Sequence, residues 1–325
     1  MPAGVSIIVP NYNHAKFLRR RIDTILKQTF QDFELILLDD CSTDGSQMIL
    51  REYASPRTRF EFNELNSGST FKQWNKGVRL ATGKYVWIAE SDDYADERFL
   101  ETLVPRLDGN SNAAFCYCRS WRISAEDCIE GFSDGYLTQP QSNNWTSDFA
   151  AYGPEECRRY LLFRNTVPSA SSVVFRREAY WKAGGADENL VLCGDWKVWA
   201  GMALEGNTIL YVGQPLSYHR FHNLSVRSQN QDGVSLIESI IVIGWILDRI
   251  KLPKAERSVV VRELAQVWQP FVVNGKIPAR LRRTVLKHAI ALGPPAWLRL
   301  IGFASTTLRL AFARRWRSLR HRAAP

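Results

Sequence analysis

Short apolar runs alternate with stretches of helical spacing through the first 120 residues, and few folds tolerate that rhythm. Val5-Ser6-Ile7-Ile8-Val9 is largely β-branched and reads as a buried strand. Leu18, Ile22, Ile25 and Leu26 then recur at helical spacing, and Phe33 to Leu38 forms a second strand. Ser42-Thr43-Asp44-Gly45-Ser46 offers turn and cap residues for a second helix. A short strand near Phe60, a helix through Trp74 and Val78, and strands at Tyr85 to Ala89 and Ala113 to Tyr117 continue the pattern. The expected fold is α/β, with a mostly parallel sheet sandwiched by helices.

From Gly131 to Asn165 the pattern loosens into Gly, Ser, Asn and aromatic residues, which predicts a surface insertion. Regularity returns with a strand at Ser171 to Phe175 and a helix from Asp195 to Leu204. Beyond Gly233 the chain reads as helical, punctuated by prolines. Two domains are expected, at 1–230 and 231–325.

Charge divides at the same place. The net charge is +9, but residues 231–325 carry 17 basic against 5 acidic side chains, leaving 25 against 28 in the first 230. After the Gly293-Pro294-Pro295 break, Trp297, Ile301, Ala304, Leu308, Phe312 and Leu319 fall near one helical face, with Arg299, Arg309, Arg317 and Arg320 broadly opposite. A basic amphipathic helix reads as a peripheral membrane contact. A helix packed on the first domain and a dimer contact are the plainer alternatives. Nucleic acid is not an expected partner, because the body is acidic and shows no recognition motif. The first residues show no signal-peptide pattern, no apolar run approaches the ~20 residues of a spanning helix, and the six cysteines lack zinc-type spacing. These features predict a cytoplasmic protein, with the inner face of the membrane as its place if the tail binds lipid.

Chemistry is expected beyond the carboxyl ends of the strands, where open α/β sheets bind ligands. The first strand ends in Pro10-Asn11-Tyr12-Asn13, the second in Asp39-Asp40, and the fourth in Glu90-Ser91-Asp92-Asp93. Carboxylates gathered on one edge repel one another unless a cation sits among them, and Mg²⁺ or Mn²⁺ carrying diphosphate oxygens suits such a place. The bland reading is that these Asp and Ser residues merely cap the next helices. The absence of glycine from Pro10 to His14 argues against a nucleotidyltransferase or a dinucleotide-dependent oxidoreductase.

Val5 to Asn13, Gln28-Thr29-Phe30 and Glu34 to Ser46 together resemble the opening of family 2 glycosyltransferases. The resemblance continues through Asn66-Ser67-Gly68, Asn75-Lys76-Gly77, Ala81 to Tyr85 and Ser91-Asp92-Asp93. It reappears at Val173 to Arg177, Gly184 to Glu188 and Gly194-Asp195-Trp196, and so spans roughly residues 5 to 225. It implies a GT-A type, Rossmann-like domain with a C-terminal helical extension. The implied reaction is inverting transfer of a sugar from a nucleotide diphosphate, with UDP expected, to a hydroxyl of a glycan or lipid-linked acceptor.

The resemblance also implies roles. Pro10, Tyr12 and Asp40 match positions that cradle the base, and Asp92 and Asp93, the expected metal ligands, match the DXD region, whose last carboxylate binds the metal under the diphosphate. Asp195 matches the catalytic base, with a helix cap as its alternative reading. In Ser217 to Ser225, Arg220 would face the diphosphate and His222 would bind metal or phosphate, although a lone histidine is more often structural. Asn66, Lys72 and Asn75 are expected to line the donor pocket, and Trp145 is the candidate acceptor platform. Two positions depart from the family pattern: Glu90 stands where Asp is commoner, and Gly194 where an acid usually precedes the base. The competing reading outside enzymes is a catalytically impaired scaffold of the same fold.

Overall fold

The computed structural model describes residues 3–133, 143–223, 225–229, 233–250 and 252–262. The chain divides into two compact units, Met1–Gln229 and Asn230–Pro325.

The first unit is built on one ten-stranded mixed sheet. Its opening alternates β1 (Val5–Asn11), α1 (Ala15–Leu26), β2 (Phe33–Asp39), α2 (Ser46–Arg51), β3 (Thr58–Phe62), α3 (Thr70–Leu80) and β4 (Tyr85–Ile88). Next come β5 (Tyr94–Ala95), α4 (Phe99–Asp108), β6 (Ala113–Ile123), β7 (Ile129–Phe132), β8 (Phe149–Tyr152) and the short α5 (Gly153–Glu156). The unit closes with β9 (Val173–Arg176), α6 (Arg177–Lys182), α7 (Gly194–Leu204), β10 (Thr208–Arg220) and α8 (Val226–Gln229).

The principal strand order is β3-β2-β1-β4-β9-β6-β10-β5, with β7 added on β6 and β8 on β10. Strands β1 to β4 are mutually parallel, as their alternation with helices requires. The far half is mixed. β9 runs antiparallel to β4 and β6, and β10 runs parallel to β6 but antiparallel to β5 and β8.

Every residue of β1 is buried, because helices cover both faces. Val5, Ile7 and Val9 share a core with Leu18, Ile22 and Ile25 of α1. Ile8 points the other way, toward α3, where a Cβ on Gly77 would lie 2.4 Å from its Cγ2. That close approach requires glycine and seats α3 directly on the strand. The order reverses at β1, which lies between β2 and β4, so the carboxyl ends of β1 and β4 flank the crevice where such sheets bind ligands.

The expected surface insertion is partly interior. Trp145 is only 3 % exposed, its indole N–H donates to the Tyr117 hydroxyl at 2.9 Å, and its carbonyl accepts from the Tyr211 hydroxyl at 3.0 Å. A ring so enclosed cannot stack on a sugar, so Trp145 is a core residue and the acceptor-platform expectation is withdrawn.

Within the second unit, α9 (Val234–Arg249) is followed by helical residues 254–262. Arg257 joins the two by donating to the Leu247 carbonyl and the Asp248 carboxylate, both at 3.0 Å. No helix among the described residues is long and apolar enough to cross a membrane. The expected basic amphipathic helix from Trp297 onward lies outside the described residues.

Candidate active site

Two loops at the carboxyl ends of β1 and β2 are braced against each other. Asn11 Nδ2 donates to Asp39 Oδ1 at 2.8 Å and to Ser42 Oγ at 3.1 Å. Asn13 takes a left-handed backbone, φ 54°, which asparagine tolerates. From there its N–H donates to Ser42 Oγ at 2.9 Å, and its Oδ1 accepts from the Thr43 N–H at 2.8 Å. Between these braces Tyr12 stands 48 % exposed, an aromatic face on a fixed loop, with Pro10 buried beneath.

Asp40 is buried and its carboxylate is fully engaged. Oδ1 accepts from Asn63 Nδ2 (2.6 Å), the Ser67 N–H (2.9 Å) and Gln73 Nε2 (2.9 Å), and Oδ2 accepts from Ser67 Oγ (2.7 Å). A carboxylate offers about four acceptor sites, so Asp40 serves here as the clasp of the 66–69 loop. Asn66 completes that loop by donating to the Asp40 carbonyl at 3.0 Å, and exposed Lys72 reaches the Ser67 carbonyl at 3.2 Å.

Asn75 is likewise committed. Its amide donates to the Ala186 carbonyl and to Glu188, and its Oδ1 accepts from the Tyr180 hydroxyl and the Ala186 N–H, all within 2.8–3.1 Å. It staples the Gly184–Glu188 turn onto α3 and leaves no polar atom for a ligand, contrary to the expectation for a pocket-lining residue.

The acidic cluster after β4 is sorted by burial. Asp93 is 3 % exposed. Its carboxylate accepts from Ser169 Oγ at 2.9 Å and from the Arg220 N–H at 2.8 Å, a bracing position. Asp92 instead meets two imidazoles. Its Oδ2 is 2.8 Å from His222 Nε2, and His14 completes a group whose ligand atoms all lie within 4.8 Å of one another. Burial alone would raise the Asp92 carboxyl, but the His222 hydrogen bond and the neighbouring histidines outweigh it and hold it well below the usual range. Glu90 goes the other way. Burial, with the Asp92 charge adding to it, pushes its carboxyl up to about 8 against the 2.7 Å hydrogen bond from Trp74, so it is neutral at pH 7.

The donor set fits a divalent cation. Ligands about 2.1 Å from one ion stand at most about 4.2 Å apart, so a small inward shift closes this group. The Nδ1 of His222 is buried with no partner among the described residues. The Nδ1 of His14 is 2.8 Å from Ser91 Oγ, the kind of outer contact that orients a ligating ring. The sequence singles out Pro10 to Asn13 but not His14, and its place directly after that run at the carboxyl end of β1 is the signal that could have found it.

Arg220 is not free to meet a diphosphate. Its Nε donates to the Asp92 carbonyl at 2.7 Å, its Nη1 to the Ser124 carbonyl at 2.9 Å, and its Nη2 pairs with Asp127. With the guanidinium 4.7 Å over the Phe17 ring, Arg220 props the Asp92–Asp93 backbone from behind.

Asp195 lies in the first turn of α7, whose cap is Cys193, so it is not the cap residue itself. Its Oδ1 accepts from the Trp196 N–H at 2.7 Å and its Oδ2 from Asn165 Nδ2 at 2.9 Å. The stretch from Asn165 to Ser171 ties this carboxylate to the acidic cluster. Ser169 holds Asp93, and Ser171 Oγ accepts from the Glu90 N–H at 3.0 Å. Four residue steps lead from Asn165 to Ser169, at most about 14 Å of extended chain. The sequence reading missed Asn165, Ser169 and Ser171 as site residues, although the small polar run before β9 could have marked them.

A mixed α/β sheet whose order reverses at β1, with the His14, Asp92 and His222 side chains grouped at its carboxyl edge, suits a GT-A type glycosyltransferase. The comparisons agree. The family model described as "Glycosyl transferase family 2" matches residues 6–184. The chain belongs to glycosyltransferase family 2. Glycosyltransferase GlyG of Streptococcus pneumoniae serotype 4 is 39% identical over 164 residues, 46% of this chain and 53% of that protein. The chain thus spans about half the length of that relative. In fold it is similar to Staphylococcus aureus TarS 1–349 in complex with UDP-GlcNAc, with a TM-score of 0.68 at 18% identity over 90% of this chain and 82% of that one. It is also similar to the mannosyltransferase PcManGT of Pyrobaculum calidifontis in complex with GDP-Man and Mn²⁺, with a TM-score of 0.53 at 17% identity over 98% of this chain and 81% of that one.

Proposed function

We propose that this glycosyltransferase works by single displacement with inversion, using a nucleotide diphosphate sugar, a divalent metal and Asp195 as base. The observation that carries the reading is the His14–Asp92–His222 group at the carboxyl edge between β1 and β4. Tyr12 offers a stacking face for the base, and Pro10, Asp40, Asn66 and Lys72 shape the loops around it. Uridine is the proposed nucleoside. It follows from the resemblance of the loops and is supported by the UDP-GlcNAc bound to TarS.

When bound, Mn²⁺ or Mg²⁺ would take up charge developing on the departing diphosphate. His14, Asp92 and His222 would hold it, in place of the Asp92 and Asp93 pair. Asp93 and Arg220 keep the Asp92 backbone fixed. Asp195, oriented by Asn165, removes the proton from the acceptor hydroxyl as that oxygen attacks the anomeric carbon. The proposed acceptor is a glycan or a lipid-linked sugar. The basic stretch beyond residue 263 would keep the enzyme beside an anionic membrane face in the cytoplasm.

The test is a panel of nucleotide sugars with Mn²⁺, reading nucleoside diphosphate release by wild type and Asp195→Asn. Release from a uridine donor should fall by about 10²-fold or more in the variant, with UDP binding retained. Equal turnover by the variant would remove Asp195 from the chemistry. Absence of both turnover and UDP binding would sink the donor-site reading itself.

A further inference from the structure

The three consecutive arginines of α1 part ways. Arg19 pairs with Glu52 at the surface. Arg20 pairs with Asp127 and lies 4.0 Å over the Tyr94 ring. Arg21 turns inward and is completely buried. None of its three side-chain nitrogens has a hydrogen-bond partner among the described residues. Its guanidinium lies 4.7 Å over the ring of Trp87, on the strand that leads into the acidic cluster.

Burial pulls the Arg21 guanidinium down to about 10, and the nearby Asp93, Glu90 and Asp92 carboxyls oppose that pull. It therefore stays charged at neutral pH. A buried, unpaired charge is among the costliest groups a core can hold, and an apolar side chain of similar size would pack there at no such cost. A delocalised guanidinium over an indole is the cation that best tolerates burial. What favours a cation there at all is the negative potential of the acidic edge.

Resting on the proposed role of Asp92 in metal binding, we infer that Arg21 is a positioning residue, a fixed internal cation behind Asp92 and Asp93. It balances their charge before a divalent ion arrives and repels that ion once it is bound. Guanidinium and metal share one negative potential, so each weakens the hold of the other. The weakened grip serves turnover, because a metal carrying nucleoside diphosphate must leave after each transfer. On the same helix, Phe17 packs 4.9 Å from the His222 ring.

The test measures Mn²⁺ affinity in the presence of UDP, by paramagnetic resonance of the free ion, for wild type and for Arg21→Met, Arg21→Gln and Arg21→Lys. Both neutral variants should bind Mn²⁺ at least about tenfold tighter, as expected for removing a unit charge within about 20 Å of a divalent ion at an effective dielectric near 20. The lysine variant should fall between wild type and the neutral variants, because a buried ammonium holds its charge less firmly than a guanidinium. Mn²⁺ should also raise the melting temperature of the neutral variants more than that of wild type. Neutral variants that fold and bind Mn²⁺ as wild type does would reduce Arg21 to a packing residue. Neutral variants that stay unfolded at saturating Mn²⁺ and UDP would overturn the inference equally, since the ion then fails to replace the guanidinium. Wild type that binds UDP but no Mn²⁺ would remove the metal reading first and this inference with it.

Discussion

Glu90 occupies the acidic cluster yet is held neutral, and replacing it tests that assignment directly. Its carboxyl is raised from 4.5 to about 8, chiefly by burial. Between those two values the unfolded chain has released a proton that the folded protein keeps, so stability falls as pH rises. The loss is about 1.4 kcal/mol for each pH unit in that window and reaches about 3 kcal/mol at pH 7. Glu90→Gln has no proton to lose and keeps a carbonyl to accept the Trp74 indole N–H. Urea unfolding in EDTA should therefore show wild type and variant equally stable near pH 4.5. Near pH 8 the variant should be ahead by about 3 to 5 kcal/mol. Metal must be absent, since a cation beside Glu90 would pull its proton off. A difference that stays constant from acid to alkaline pH would refute the reasoning, because Glu90 would then be ionised in the fold.

His14→Ala should weaken Mn²⁺ binding by about 10- to 100-fold, while metal-free UDP binding holds, as calorimetry would show. With two imidazoles among three ligands, wild type should prefer Mn²⁺ to Mg²⁺ in the same titration; equal affinity would argue for oxygen ligands alone. Asn75→Ala removes four hydrogen bonds inside the fold and should cost about 3 kcal/mol in chemical denaturation. Lost donor affinity at full stability would instead return Asn75 to the pocket wall. Gly194→Ala should lower the melting temperature and cost about 2 kcal/mol, because the added Cβ would lie 2.5 Å from the Phe71 ring; an unchanged melt would mean the ring has room to move.

The fold was legible where burial is continuous. Val5 to Val9 announced β1 because both of its faces are covered, and the spacing of Leu18, Ile22 and Ile25 announced α1. β6 runs on to Ile123 instead of ending at Tyr117, since its last part, through Arg119 and Arg122, carries polar residues that no apolar run betrays. The antiparallel strands β5, β7 and β8 are two to four residues long, too short for a period to register. At the site, the sequence showed which carboxylates gather at the edge but not which way they turn. Asp93, Asn75 and Arg220 are each claimed by partners far along the chain, namely Ser169, the Ala186–Glu188 turn and the Ser124–Asp127 turn. The same blindness hid His14, whose significance depends on His222 folding back beside it.

Gly194 shows how one packing decision reaches the chemistry. The family pattern leads one to expect an acid before the base, and its absence could suggest a lapsed enzyme. The structure gives a simpler cause. Helix α7 lies so close to α3 that any Cβ at Gly194 would enter the Phe71 ring, and Trp199 of α7 packs 6.1 Å from Trp74 of α3. Trp74 in turn holds Glu90, so this approach sets α7 against the acidic edge. An acid at 194 would have to displace the Phe71 ring or the helix. Support for Asp195 comes instead from outside the helix, through the Asn165 amide. That amide belongs to the loop whose Ser169 and Ser171 hold Asp93 and the Glu90 backbone. The substitution therefore removes a neighbouring negative charge and leaves a neutral donor on the carboxylate, an arrangement compatible with a working base.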